Sequence, residues 1–306
     1  MSKKEKIFNF ILIIIVIFVV CLIFYKLLGY INQIDFKSIR FNIYYLILSF
    51  LMIPFWYFFM CFAYKRIMFS LGSDVDLYTL MRIIGISMFG KYIPGKLWFT
   101  VGRIALLERV GVPKKKSFTA VVLETYLLLL TGSSFFLINI FKFENNILYS
   151  ILLIVLILFF LFLSLPKVFK NIINIFLKIF KKEKIDFNIK FKEYLFIIFL
   201  YFLVWIFSGI EFYLLLYSFT LKTYDFVGIL SIYPASWVIG FLSLLMPAGI
   251  GVREGMIFFL LKRYTGNEIA AVASLLSRIE VTLGELLYLF FFIGDKKIWR
   301  KNEKRD

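Results

Sequence analysis

The sequence predicts an all-α polytopic membrane protein with about six full transmembrane helices and two broken, re-entrant helix hairpins in an inverted-repeat architecture. Three observations predict it. The chain of 306 residues is 62% apolar with 40 Phe and has a mean hydropathy of +0.90, more hydrocarbon than a water-soluble core requires. Apolar runs of about 20 residues recur along it, each long enough to cross a bilayer core. Two further apolar regions are interrupted by Pro and Gly, in GKYIPGKLW (90–98) and LMPAGIGVREG (245–255).

Residues 7–28 form the first expected span. Lys3, Lys4 and Lys6 precede it in the manner of a signal peptide, but the run is long enough to cross and lacks an A-x-A-like cleavage site, so a retained helix is expected. Residues 43–64 form the second span. Asp74 and Asp76 then suit a helix cap at the interface. In the broken region 77–107, the arms on either side of Pro94-Gly95 are too short to cross separately, which implies a hairpin that enters and leaves on one side. Spans are expected at 117–140 and 147–165. In the basic segment 167–192, Lys170, Asn171, Asn174, Lys178, Lys181 and Lys182 recur at helical spacing opposite Phe169, Ile172, Ile173, Phe176 and Phe180. That pattern predicts an amphipathic helix on the anionic cytoplasmic leaflet, the alternative being a solvated linker. Spans at 194–219 and 269–293 flank the second broken region, 227–261. Its first arm, which contains Pro234, is nearly long enough to span, so re-entrance and full crossing both stay open.

Cation placement orients this topology. With the N-terminus inside, the cytoplasmic segments collect most of the 36 Lys and Arg, including Lys65, Arg66, Arg109, Lys114 to Lys116, the lysines of 167–192 and those after residue 295. The outer side holds Lys26, Lys37, Arg40, Lys142, Lys222, Lys262 and Arg263. Both termini are therefore expected in the cytoplasm and the protein in the cytoplasmic membrane. Residues 43–140 then read as span, broken hairpin, span, and residues 194–293 repeat that order from the opposite side, within one integral membrane domain. Such pairing points to an inverted-repeat transporter with its site near the midplane; the alternative is that Pro and Gly merely kink ordinary spans.

Composition also excludes chemistries. With no His, imidazole acid–base catalysis and His metal sites are absent. Cys21 and Cys61 lack CxxC spacing. The net charge of +17 lies mainly in short segments between apolar runs, so it reads as topology control rather than nucleic-acid binding. No nucleophile, metal-ligand cluster or donor-binding loop stands out, so neither an enzyme nor a cofactor is expected.

The breaks suit an anion. A chain reversing at Pro94-Gly95 and at Pro247-Ala248-Gly249-Ile250-Gly251 starts each returning helix with unsatisfied N–H groups inside the membrane. Gly249 and Gly251 remove side chains where a ligand could approach the backbone. Lys96 and Arg253 fall in the first helical turn, where a bound phosphate would offset their unfavourable position in the helix dipole. Lys96, Thr100 and Arg103 share one face, while Arg253 could instead pair with Glu254 or with an acid of another helix. Glu124, Glu211, Glu280 and Glu285 lie inside apolar runs, where an ionised group costs a few kcal/mol and needs a cavity or a partner. Pairing with Lys96, Arg103 and Arg253, proton coupling and contact with a cationic head group are the roles open to them. Ser274, Arg278, Thr282 and Glu285 share one face of the last helix, and Glu280 points roughly opposite.

GKYIPGKLW, the following GVPKKK and MPAGIGVREG together resemble the paired signatures of the lysylphosphatidylglycerol synthase transmembrane family, over nearly the whole chain. The family's motif positions fall here on Pro94, Gly95, Pro247, Gly249, Gly251, Arg253 and Glu254; Lys96 departs from the residues often found after the first Pro-Gly. The resemblance implies a flippase that moves a lipid with a large polar head between leaflets. Combined with the anion-suited breaks, the expected cargo is an anionic, aminoacylated or polyprenyl-phosphate-linked lipid with its phosphate held there, and the expected partner a glycosyltransferase or lipid-modifying enzyme. Because the chain ends eleven residues after Asp295, the soluble synthase half found in two-part members is expected to be absent. A non-catalytic membrane partner of such an enzyme is the alternative function.

Overall fold

A computed structural model of the chain describes residues 41–92, 98–143, 165–179, 189–243 and 246–293, with isolated positions at Ile151, Val155, Phe159, Phe162 and Lys184. The expected span 7–28, most of 147–165 and Pro94-Gly95-Lys96 lie outside the described residues. Nine α-helices account for the regular structure among the described residues, apart from two short 3-10 turns.

Asn42 opens α1 (Ile43–Ser70) by accepting a hydrogen bond from the Tyr44 N–H at 3.1 Å. Helix α2 (Leu77–Met88) starts at Asp76, whose carboxylate accepts from the Thr79 N–H at 2.8 Å, as the Asp74/Asp76 cap expectation requires. After the 3-10 turn Phe89–Tyr92, α3 (Trp98–Arg109) returns. Gly111, at φ +88, ends that arm, and α4 (Lys114–Phe143) follows. Helix α5 (Pro166–Ile179) carries the basic amphipathic pattern; its Phe169 is buried against the Tyr126 ring, 4.6 Å between centroids. The second part comprises α6 (Phe191–Thr220), α7 (Phe226–Leu242), the 3-10 turn Pro247–Gly249, α8 (Val252–Thr265) and α9 (Asn267–Ile293).

Helices α1, α4 and α6 are long and apolar enough to cross a membrane, as a polytopic membrane protein requires. Helix α9 has 27 residues but carries Arg278, Glu280 and Glu285, so its composition sets it apart from those three. The outward surface is itself apolar: Ile43 is 65% exposed, and Phe290 and Phe291 are 78% and 77% exposed. Apolar surface of that extent is stable only against lipid or protein. Arms α2 and α3 have 12 residues each, about 18 Å, well short of a bilayer core of about 30 Å.

Helices α1 and α6 make the most extensive contact and run antiparallel. At one end the Asn42 N–H donates to Ser218 O at 2.7 Å. At the other, Arg66 forks onto Glu193 at 2.7 and 2.6 Å. Each part's closing helix packs on the other part's first hairpin arm, α4 on α7 and α9 on α2. Glycine permits both approaches: a Cβ on Gly132 would lie 2.8 Å from Val238, and one on Gly85 would lie 2.7 Å from the Tyr288 ring. The two halves of the chain are therefore interlocked, and their broken regions are brought to the centre.

Candidate functional site

In the first hairpin the chain turns back sharply: a Cβ on Gly90 would sit 2.5 Å from the Phe99 N, on the returning arm. The 3-10 turn therefore directs Lys91 and Tyr92 at α9. Lys91 forms an ion pair with Glu285, and the Tyr92 hydroxyl donates to the other Glu285 oxygen at 2.8 Å. On α3, buried Arg103 pairs with Glu124 of α4. Its Nε donates to Ser87 Oγ at 3.1 Å, and its guanidinium lies 5.3 Å from the Tyr64 ring centroid.

The second hairpin turns under backbone strain. Ala248 has φ +49, a left-handed conformation unusual for a residue with a Cβ, and it is followed by Gly249 at +69 and Gly251 at +80. Gly249 packs on the first arm so closely that a Cβ there would lie 2.9 Å from Gly240 O. Arg278 of α9 donates to the Ala248 carbonyl at 3.2 Å and so braces the turn. Glu254 accepts from the Gly251 N–H at 2.6 Å, and its other oxygen lies 3.6 Å from Arg278.

Glu254, a family-motif position and an expected alternative partner of Arg253, caps the start of α8 three residues after Gly251, and its carboxylate complements the helix dipole. Arg253 pairs with neither Glu254 nor another acid within salt-bridge distance among the described residues. Its guanidinium lies 4.2 Å from the Tyr233 ring centroid instead.

The two 3-10 turns touch. Between the hairpins is a cavity of about 120 Å³ whose polar lining comes from Lys91, Arg103, Glu124, Thr125, Arg253 and the backbone at Ala248 and Gly249. That is room for several waters or a small oxyanion group. Trp237 and Phe241 of α7 and Met60 of α1 add apolar wall. An adjoining cavity of about 70 Å³ shares Lys91 and Arg253 and adds Glu285, Ser208 and Tyr233. Among the described residues, Lys91, Arg103 and Arg253 face Glu124 and Glu285 over both cavities, which leaves one positive charge in surplus, at Arg253.

Of the expected site residues, Arg103, Glu124, Gly249, Arg253 and Glu285 come together here. Pro247 lies in the second turn, while Gly251, Glu254 and Arg278 support it from behind. Pro94, Gly95 and Lys96 lie outside the described residues. Glu211 and Glu280 line neither cavity; they lie beside one another between α6 and α9. Lys91 is the cation the sequence reading passed over. Its position in GKYIPGKLW, on the arm before the break as Lys96 is on the arm after it, was the available signal.

A comparison with curated proteins finds no match. The family described as Lysylphosphatidylglycerol synthase TM region matches residues 7–283, most of the chain and both broken regions. The protein thus belongs to the lysylphosphatidylglycerol synthase TM region family.

Proposed function

We propose that the protein is a lipid flippase that binds the phosphate of a membrane lipid between its two broken hairpins and carries the head group across the cytoplasmic membrane. The observation that carries this reading is the cavity between the touching turns, with Arg253 in surplus over the acids that pair the other cations. A buried guanidinium on a ring, with no carboxylate in contact among the described residues, is ready to receive an oxyanion.

The arrangement of helices supports alternating access. Helices α1 and α6, the opening helices of the two expected repeats, run antiparallel, as inverted repeats require, and each closing helix grips the opposite hairpin. In this reading both hairpins are re-entrant, the span 7–28 and the segment 147–165 complete six crossings, and both termini face the cytoplasm, where the basic residues of α5 meet anionic lipid. The head group passes through the centre while the acyl or prenyl chains stay in the bilayer. The chemistry is transport, with no bond made or broken.

The test is leaflet exchange of fluorescent phosphatidylglycerol, aminoacylated and polyprenyl-phosphate-linked lipids by the purified protein in liposomes. Exchange of one class, lost in folded Arg253→Ala, is the expected result. Exchange of none by wild-type protein would refute the reading and favour the second one, a non-catalytic membrane partner docking an enzyme through α5, whose Lys178 and Ile175 are exposed.

A further inference from the structure

Away from the cavities, Glu211 of α6 and Glu280 of α9 face each other, at 0% and 2% exposure. Among the described residues no donor group reaches either oxygen of Glu211 or Oε2 of Glu280. The remaining oxygen, Glu280 Oε1, lies 2.5 Å from Ser49 Oγ of α1. Ser49 Oγ is also 2.8 Å from Leu46 O, which can only accept. A hydroxyl has one proton to donate. When it bonds Leu46 O, the short contact to Glu280 requires a proton on the carboxyl group.

The surroundings favour that proton. The groups facing the pair are Ser49 of α1, Tyr233 of α7 and, at longer range, Arg253 of α8; no titratable group of α2 or α4 faces it among the described residues. Two adjacent carboxylates with one hydroxyl between them and no cation in contact cannot both ionise in a buried site. A sodium ion fits poorly, because the pair and Ser49 offer fewer oxygens than its coordination shell requires.

We propose that Glu211 and Glu280 form a proton-binding site that couples lipid movement to the proton gradient, with Arg253 as the link to the anion cavity. This deepens the flippase reading and rests on it. Arg253 lines both cavities and also lies within electrostatic reach of Glu211. An anionic head group bound to Arg253 neutralises the charge that favours ionised Glu211, so the pair holds its proton. When the anion leaves, Arg253 again favours ionisation and the proton is released. Anion and proton binding are therefore mutually reinforcing, and the two travel together.

Two measurements test this. Infrared difference spectra of the protein between about pH 5 and about pH 9 are expected to contain a protonated-carboxyl band that is lost in Glu211→Gln or Glu280→Gln and shifted in Ser49→Ala. Absence of such a band, or a band unchanged in all three variants, would overturn the site. In liposomes, a gradient of one pH unit is expected to change the steady-state distribution of the transported lipid by up to about tenfold per proton. In the Gln variants, which are isosteres of the neutral acid, the ratio of exchange with and without the gradient is expected to fall to one. Wild-type exchange that ignores a pH gradient, or that follows a sodium gradient instead, would overturn the coupling while leaving the flippase reading intact. No exchange under any condition would instead sink the flippase reading, and with it the coupling, while the infrared band still decides the proton site.

Discussion

In the first hairpin, each cation reaching the cavity among the described residues meets a carboxylate from another helix, Arg103 with Glu124 and Lys91 with Glu285. In the second, Glu254 is used by the turn itself and Arg253 rests on the Tyr233 ring. The two Pro-Gly signatures look alike in sequence, yet one yields a neutralised wall and the other a surplus charge. Cations next to a helix break therefore do not by themselves define an anion site. What counts is which of them the rest of the fold leaves without an acid.

The largest expected effect tests the neutralised wall. Removing one member of a buried ion pair leaves the other charge uncompensated, so Glu124→Ala is expected to cost about 3–5 kcal/mol in unfolding measured in detergent, with much of it regained in Arg103→Met/Glu124→Leu. A single substitution that proved neutral would erase the distinction between the hairpins. Next comes Arg253, whose loss is expected to leave folding nearly unchanged and to lower lipid exchange about 10- to 100-fold, the worth of a charge-assisted hydrogen bond. Arg253→Lys should retain part of the rate, because it keeps charge and loses the planar fork; equal exchange by wild type and Arg253→Ala would remove the surplus charge from the mechanism.

Gly249→Ala introduces a Cβ 2.9 Å from Gly240 O at φ +69, and is expected to destabilise the second turn by about 1–3 kcal/mol, read from its melting temperature. The smallest effect concerns the start of each hairpin. Asp76 caps α2 through the Thr79 N–H, whereas Asp225 makes no side-chain cap bond at α7. Asp76→Ala is thus expected to cost about 1 kcal/mol, and Asp225→Ala less by this route. Burial pushes the Asp76 carboxyl up, but hydrogen bonds from Thr79 outweigh it and hold the folded-state pKa below the usual value. Its contribution is therefore present above the unfolded-state pKa and lost as pH falls through the folded one, a loss that Asp76→Ala should abolish.

Much of the framework was legible because bilayer thickness and helix geometry impose it. Helices α1, α4 and α6 match the expected spans at 43–64, 117–140 and 194–219, and the second break falls where Pro247 and Gly249 interrupt the apolar run. The Glu254 cap was legible too, since Gly251 and Glu254 stand at capping-box spacing. The inward turn of Lys91 was not legible, because distance from a break in sequence says nothing about which side chains turn inward.

Sequence alone was enough for the membrane class, the two broken regions, the buried acids and the family, because each follows from local composition, periodicity or a short motif. Partner choice came only with tertiary packing: Arg103 with Glu124, Lys91 with Glu285, Glu211 beside Glu280, and Arg253 on the Tyr233 ring. Each of those groupings joins different helices, and the energy of a buried charge depends on the few ångströms around it, a distance that no one-dimensional spacing between helices encodes.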